Sequence, residues 1–381
     1  MNQYLNKSFT IVLLPQVNGR MIAGFFFLLL LGLRPAGATE EQSGEIELLP
    51  TEKVFGPEDP GGPYKHPASF DELQNGDLFL VFYGGSGEYQ DDTAIYGARK
   101  PQGESAWSTP KIIADTPNRS EGNAVVWQAP DGVVWLFYLT RYGDTWSTSR
   151  IKAKISTDDA VTWSDPFLIA IEQGMMVRSH PIVLDDGDYL LPVYHEQGED
   201  TEVVGAGSTS LFLRYDQATK EWSETNRIGF KTGCIQPAVA KVSDDYYVCY
   251  NRRGGDYLPE TRGYVVRSES RDGGRTWSPG TATKWPNPNA AVDFFSLNNG
   301  HLALLYNDSF SRRTPLVMEI STDGDKSYSI RKVLADGDQT FAYPCGIQAS
   351  DGKIHVIYTT NSRKTIMHCW LDEADLLPAE K

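Results

Sequence analysis

The stretch "SRDGGRTWSPG" (residues 270–280) decides the fold. Ser270, Asp272, two glycines, Thr276 and Trp277 stand in close succession beside a hydrophobic strand. An Asp carboxylate can accept backbone N–H bonds within its own turn, and glycine supplies the positive φ such a turn needs. The Trp ring packs between neighbouring sheets. The cluster therefore reads as the way a turn is held, not as a reaction centre. It also recurs. "STDDAVTWSDP" (156–166) and "STDGDKSYSI" (321–330) are close copies, and "GESAWSTP" (103–110) and "YDQATKEWSET" (215–225) are degraded ones. The aromatic anchors Trp107, Trp163, Trp222, Trp277 and Tyr328 lie 56, 59, 55 and 51 residues apart.

A second periodicity runs beside the first. Short apolar runs break at Asn75-Gly76, Asp131-Gly132, Asp186-Gly187, Asp244-Asp245, Asn299-Gly300 and Asp351-Gly352, in steps of 56, 55, 58, 55 and 52. Such pairs mark hairpins, and a fixed period of this length marks a repeat architecture with four short strands per unit. The sixth unit has no copy of the turn motif. After "KIHVIYTT" (353–360) and "TIMHCWLDE" (365–373) the chain ends one strand short, while "GEIELLPTEKVF" (44–55) offers a spare strand. Closing a ring with that strand removes an unpaired edge. The prediction is an all-β, six-bladed β-propeller closed by an N-terminal strand.

Residues 1–38 contain Lys7, Arg20 and Arg34 but no acid, then the apolar run 21–33 and the small tripeptide Ala36-Gly37-Ala38. This reads as a signal peptide, leaving 39–381 as one propeller domain of an exported protein. The apolar run is shorter than the ~20 residues that span a bilayer. The remainder carries 50 acidic against 32 basic side chains. Its negative field disfavours nucleic acid and anionic membrane as partners, yet permits an anionic small ligand held by local arginines. Cys234, Cys249, Cys345 and Cys369 are an even number in an oxidising compartment, their pairing open, with no zinc spacing. No metal motif or nucleotide-binding loop stands out, so no cofactor is expected. The oligomeric state is not legible.

Function belongs on the face away from the repeated turns. Aligning the innermost strands on the hairpins brings His66, Asn123, His180, Gln236, Asp293 and Tyr343 to their starts, 57, 57, 56, 57 and 50 residues apart. Symmetry aims all six at the central axis, where converging polar groups make a small-ligand site. The loops on that face add Asp91 and Asp92, His195 and Glu196, and the pairs Arg252/Arg253 and Arg312/Arg313. A guanidinium pair matches a carboxylate or sulfate. Trp146, Tyr89 and Tyr257 lie in the same loops and could stack on sugar rings.

The repeated turn resembles the Asp-box, or bacterial-neuraminidase repeat, of the sialidase superfamily, over nearly all of the mature chain. Within that superfamily the sequence looks most like a divergent "predicted neuraminidase" branch. The resemblance implies an Arg triad for a substrate carboxylate, a Tyr nucleophile with a Glu partner, and an Asp acid/base in a first-blade loop. By position, Tyr343 in "YPCGIQASDGKIHVIY" matches the nucleophile, Arg252 or Arg253 the second triad Arg, Arg312 or Arg313 the third, and Asp91 or Asp92 the acid/base. Two positions depart from the pattern. His66 in "KHP" stands where the first triad Arg belongs, and Gln236 where the Glu is expected. A Gln cannot take the phenolic proton, which leaves His66 or His180 as the base.

Three readings follow. The first, narrowly favoured, is an exo-acting glycoside hydrolase on a sialic- or uronic-acid-containing oligosaccharide or polysaccharide, with Tyr343 as nucleophile or stabiliser and an Asp as acid. The second is a polysaccharide lyase, in which Arg252/Arg253 neutralise a uronate, His66 or His180 abstracts the α-proton and Tyr343 protonates the leaving oxygen. The third is a non-catalytic glycan-binding propeller.

Overall fold

The computed structural model describes residues 49–199, 203–258 and 260–376; the leader read from residues 1–38 lies outside them. Among the described residues the strands form six antiparallel sheets in chain order. Blades 1 to 5 cover residues 64–114, 120–168, 175–224, 234–286 and 293–335. Blade 6 takes its inner three strands from 342–371 and its outermost from Thr51–Phe55. That N-terminal strand pairs Thr51 with Cys369, Glu52 with His368 and Phe55 with Ile366. Glu52 fastens the closure from both sides. It accepts from Lys100 and from the Trp107 indole of blade 1, and meets His368 Nδ1 of blade 6 at 2.9 Å.

The core lies between blades because each sheet is apolar on both faces. Val81 and Tyr83 of blade 1 pack on Val126, Leu136 and Tyr138 of blade 2, and the same layering continues around the ring. Leu136 is fully buried; cutting such a residue to Ala costs about 2–5 kcal/mol. All four cysteines are buried and free, so no disulfide contributes.

The repeated turns are built as the motif predicts. Asp272 accepts from the backbone N–H of Arg275 and Thr276, and from the hydroxyls of Ser270 and Thr276. Asp158 and Asp323 repeat the pattern with Thr162 and Ser327. Each aromatic anchor reaches the preceding blade: Trp277 stacks on Phe212 at 4.2 Å, and Trp163 meets Phe79, Trp222 meets Trp135 and Tyr328 meets Trp285. At the hairpins, the second turn residue is left-handed in all six blades: Gly76, Gly132, Gly187, Asp245, Gly300 and Gly352. These features stitch one mouth of the ring and leave the other for the longer loops.

Candidate active site

The inner strands of blades 1, 2, 4 and 6 each carry a one-residue bulge near their start, at Lys65/Ala68, Gly122/Val125, Ile235/Ala238 and Ala342/Cys345. A bulge re-aims one side chain away from the pleat. The bulged residues are His66, Asn123, Gln236 and Tyr343, and the last three have φ of 40°, 54° and 54°. A left-handed non-glycine residue costs of order 1–3 kcal/mol, and such strain gathers at functional sites.

Four of the six aligned residues therefore converge, and two do not. His180 and Asp293 lie further along their strands, in a separate cavity lined also by Asp71 and Trp127. There His180 Nε2 meets Ser69 Oγ at 3.1 Å, and Asp293 accepts from the Gly346 N–H. The reason is register. Asn123, Gln236 and Tyr343 stand nine residues before the second residue of their hairpin turn, whereas His180 and Asp293 stand seven before theirs. In blade 3 the nine-residue position belongs to Arg178, inside a wider bulge between Val177 and Ile182.

At the centre, Arg252 donates from Nη1 to the Tyr343 hydroxyl at 2.9 Å and to Gln236 Oε1 at 3.2 Å. Its Nη2 donates to the Tyr257 hydroxyl at 2.5 Å, and its Nε to Asn289 Oδ1. Gln236 Nε2 is 3.4 Å from the Tyr343 oxygen. Asn123 donates to the Tyr194 hydroxyl, which fixes the neighbouring wall. The Arg178 and Arg313 guanidiniums lie 5.4 and 5.5 Å from the centroid of the Tyr343 ring. Burial pushes the Tyr343 phenol up, but Arg252, Arg313 and Arg363 outweigh it and hold the group below the usual tyrosine value.

His66 packs edge-on against Tyr343 at 4.3 Å. Its Nδ1 is 2.7 Å from Thr359 Oγ1, which itself donates to the Ala342 carbonyl. The hydroxyl proton being used there, Nδ1 carries the imidazole hydrogen and Nε2 keeps its lone pair, without a partner among the described residues. Burial, then Arg363, Arg313, Arg178 and Arg252, hold His66 well below the usual histidine value, so it is neutral.

The first-blade loop is placed differently from the expectation. Asp91 and Asp92 are exposed, and Asp92 is spent on the Ser86 N–H and hydroxyl. The acid of that loop that lines the central cavity is Glu88. It accepts from Tyr64 and pairs with Arg363. Arg363 was not singled out from sequence, because it sits in the 361–364 turn of blade 6, outside the repeat. Its carbonyl accepts from the Lys65 N–H, which seats its guanidinium beside the strand that carries His66. Arg253 points the other way along its strand and is consumed by the carbonyls of Asn287 and Gly254. Arg312 lies outside the central cavity, whereas Arg313 reaches Tyr343.

Glu196 completes the cavity, which measures about 40 Å³. No hydrogen bond to its carboxylate occurs among the described residues, and burial pushes it up to about 7 against the pull of Arg252. Trp146, Tyr89 and Tyr257 line the same cavity. Tyr257 is also a wall of an outer cleft of about 460 Å³.

The BNR repeat-like domain matches residues 76–356. The chain belongs to this family. The propeller is similar to that of a Hadza microbial sialidase, at 16% identity and a TM-score of 0.70, over 82% of this chain and 66% of that one. It is similar to the NanB sialidase from Streptococcus pneumoniae, at 11% identity and a TM-score of 0.70, over 86% and 71% of the two chains. It is also similar to the intramolecular trans-sialidase from Ruminococcus gnavus, at 13% identity and a TM-score of 0.69, over 86% and 98%. The chain thus spans just under two thirds of the Hadza enzyme's length. Comparison with curated proteins gave no match. At these identities the likenesses establish the propeller fold. Among the described residues no helix is long and apolar enough to cross a membrane.

Proposed function

We propose that this protein is an exported exo-acting glycoside hydrolase that removes an anionic sugar from a glycan. The observation that carries the reading is the Tyr343 hydroxyl, held 2.9 Å from Arg252 Nη1 and surrounded by Arg178, Arg313 and Arg363. Guanidiniums in such density serve two ends. They seat a carboxylate, and they ease loss of the phenolic proton.

The chemistry divides between two side chains. Tyr343 gives its proton to Glu196 and attacks the anomeric carbon as the bond to the leaving oxygen breaks. Glu196 passes the proton to that oxygen. In the second half, water attacks the tyrosyl–sugar bond, Glu196 takes the water proton and Tyr343 departs as the phenolate. A carboxyl near pH 7 suits a group that must act as acid and then as base. Glu196 thus takes the task that Gln236 cannot perform.

The elimination reading has less support. His180 lies in another cavity, and His66 sits among four arginines that weaken it as a base. The test is product analysis by mass spectrometry in heavy-oxygen water, with sialylated and uronate-containing oligosaccharides as substrates. The reading predicts a saturated sugar carrying the label. An unsaturated, unlabelled product would establish elimination instead.

A further inference from the structure

The outer cleft adjoins the central cavity through Tyr257 and Arg363, which line both. Its walls carry Arg312, Arg313 and Arg363, with Asp338 as the one carboxylate among the described lining residues. Asp338 is fully solvent-exposed; Arg312 donates to its backbone carbonyl at 3.4 Å, while its carboxylate stays 3.9 Å from the guanidinium, a separation at which an exposed pair contributes little. Arg313 makes its hydrogen bond to a carbonyl, that of Asn289, rather than to an acid. Arg363 is paired with Glu88 on its inner side. The cleft is therefore locally cationic in a chain whose formal net charge is −15.

Four of the five arginines in this region already act on Tyr343, namely Arg178, Arg252, Arg313 and Arg363. Arg312 does not. Its side chain is 57% exposed on the outer cleft. One carboxylate over Tyr343 would leave it, and the outward side of the cleft, with only the loosely paired, exposed Asp338 as counter-charge.

We propose that the substrate presents two acidic groups, one to Arg252 and Arg313 above Tyr343 and a second to Arg312 in the outer cleft. The inference rests on the anionic-glycan reading and sharpens it to a glycan with acidic groups on neighbouring units. Two tethered charges bind with an effective concentration that a single charge lacks.

The test is calorimetric binding to the full chain carrying Tyr343→Phe, which prevents turnover. The probes are N-acetylneuraminic acid against its α2,8-linked dimer, and galacturonate against digalacturonate. In one of the two series the dimer binds at least about tenfold more tightly than the monomer, a gap that closes as salt is raised. Adding Arg312→Gln removes that advantage and changes monomer affinity less than about twofold; an unchanged melting curve shows that the exposed substitution leaves the fold intact. Equal affinity for dimer and monomer overturns the proposal, as does an Arg312→Gln effect of the same size on both. If no probe binds, the anionic-glycan reading itself fails.

Discussion

Arg252 of blade 4 donates a 2.9 Å hydrogen bond to the Tyr343 hydroxyl of blade 6. The bond exists because two inner strands carry the same bulge, at Gln236 and at Tyr343, and Gln236 touches both partners. A donor aimed at a phenol oxygen stabilises the phenolate more than the phenol. Arg252→Lys keeps the charge but loses the fork that also binds Tyr257 and Asn289. We expect kcat to fall about 10²–10³-fold, measured by steady-state kinetics on the substrate the product analysis identifies, and the melting temperature to drop by a few degrees because buried Asn289 loses its donor.

Glu196 sets the pH dependence. Its folded value of about 7 lies above the ordinary 4.5. As the base that first takes the Tyr343 proton it must be ionised, so kcat/KM declines as pH falls through about 7, and this limb is absent in Glu196→Gln. Stability follows the same group. The folded state holds a proton that the unfolded state has lost between about pH 4.5 and 7, so this group lowers stability as pH rises through that window. Glu196→Gln is expected to melt higher than the native chain at pH 8, with the difference vanishing near pH 4.5. Equal melting curves at pH 8 would contradict the burial of the carboxyl. In a Gln236→Glu background the new carboxylate stands beside Tyr343, and loss of Glu196 is expected to cost less activity.

The turn aspartates work in the opposite sense. Asp158 and Asp323 are held down at about 2, first by the hydroxyls of Thr162 and Ser327 and then by the backbone N–H groups of the same residues. Their contribution is complete above the ordinary value near 4 and is lost as pH falls toward 2. Asp323→Asn is expected to lower the melting temperature by about 2–4 °C at pH 7 and to flatten the acid decline between pH 4 and 2. Activity at pH 7 should be unchanged, since these turns stand at the mouth away from Tyr343. Calorimetric melts against pH check both.

Removing the chain through Phe55 strips blade 6 of its outermost strand and leaves Thr365–Leu371 as an open edge. Glu52, held at about 2 against its burial by His368, Lys100 and Trp107, goes with it. An exposed strand edge recruits other chains. The truncated protein is expected to elute as oligomers in light-scattering chromatography, whereas the intact strand protects that edge.

The fold was legible because its signals are local and repeated. A turn motif and a hairpin pair, each returning at an almost constant interval, count blades without any knowledge of contacts. The site was legible only as far as that symmetry holds. Aligning strand starts placed Tyr343, Gln236, Asn123 and His66 together, but misplaced His180 and Asp293, because the wider bulge of blade 3 and the late start of the blade 5 strand shift register by two. The nine-residue distance to the hairpin was the signal that could have found Arg178. Arg363 and Glu88 had no such signal. They lie in loops of unequal length, and their pairing depends on blades 6 and 1 meeting at the ring closure.

The most direct test of the account is the titration of Tyr343 itself, which needs no substrate. The phenolate absorbance of the native chain is followed against pH and that of Tyr343→Phe is subtracted. The expected difference is one phenol ionising below the ordinary tyrosine value of 10.0, moving upward in Arg252→Gln. A difference titrating above that value, or one indifferent to Arg252, would mean that burial outweighs the arginines and that Tyr343 is no activated nucleophile.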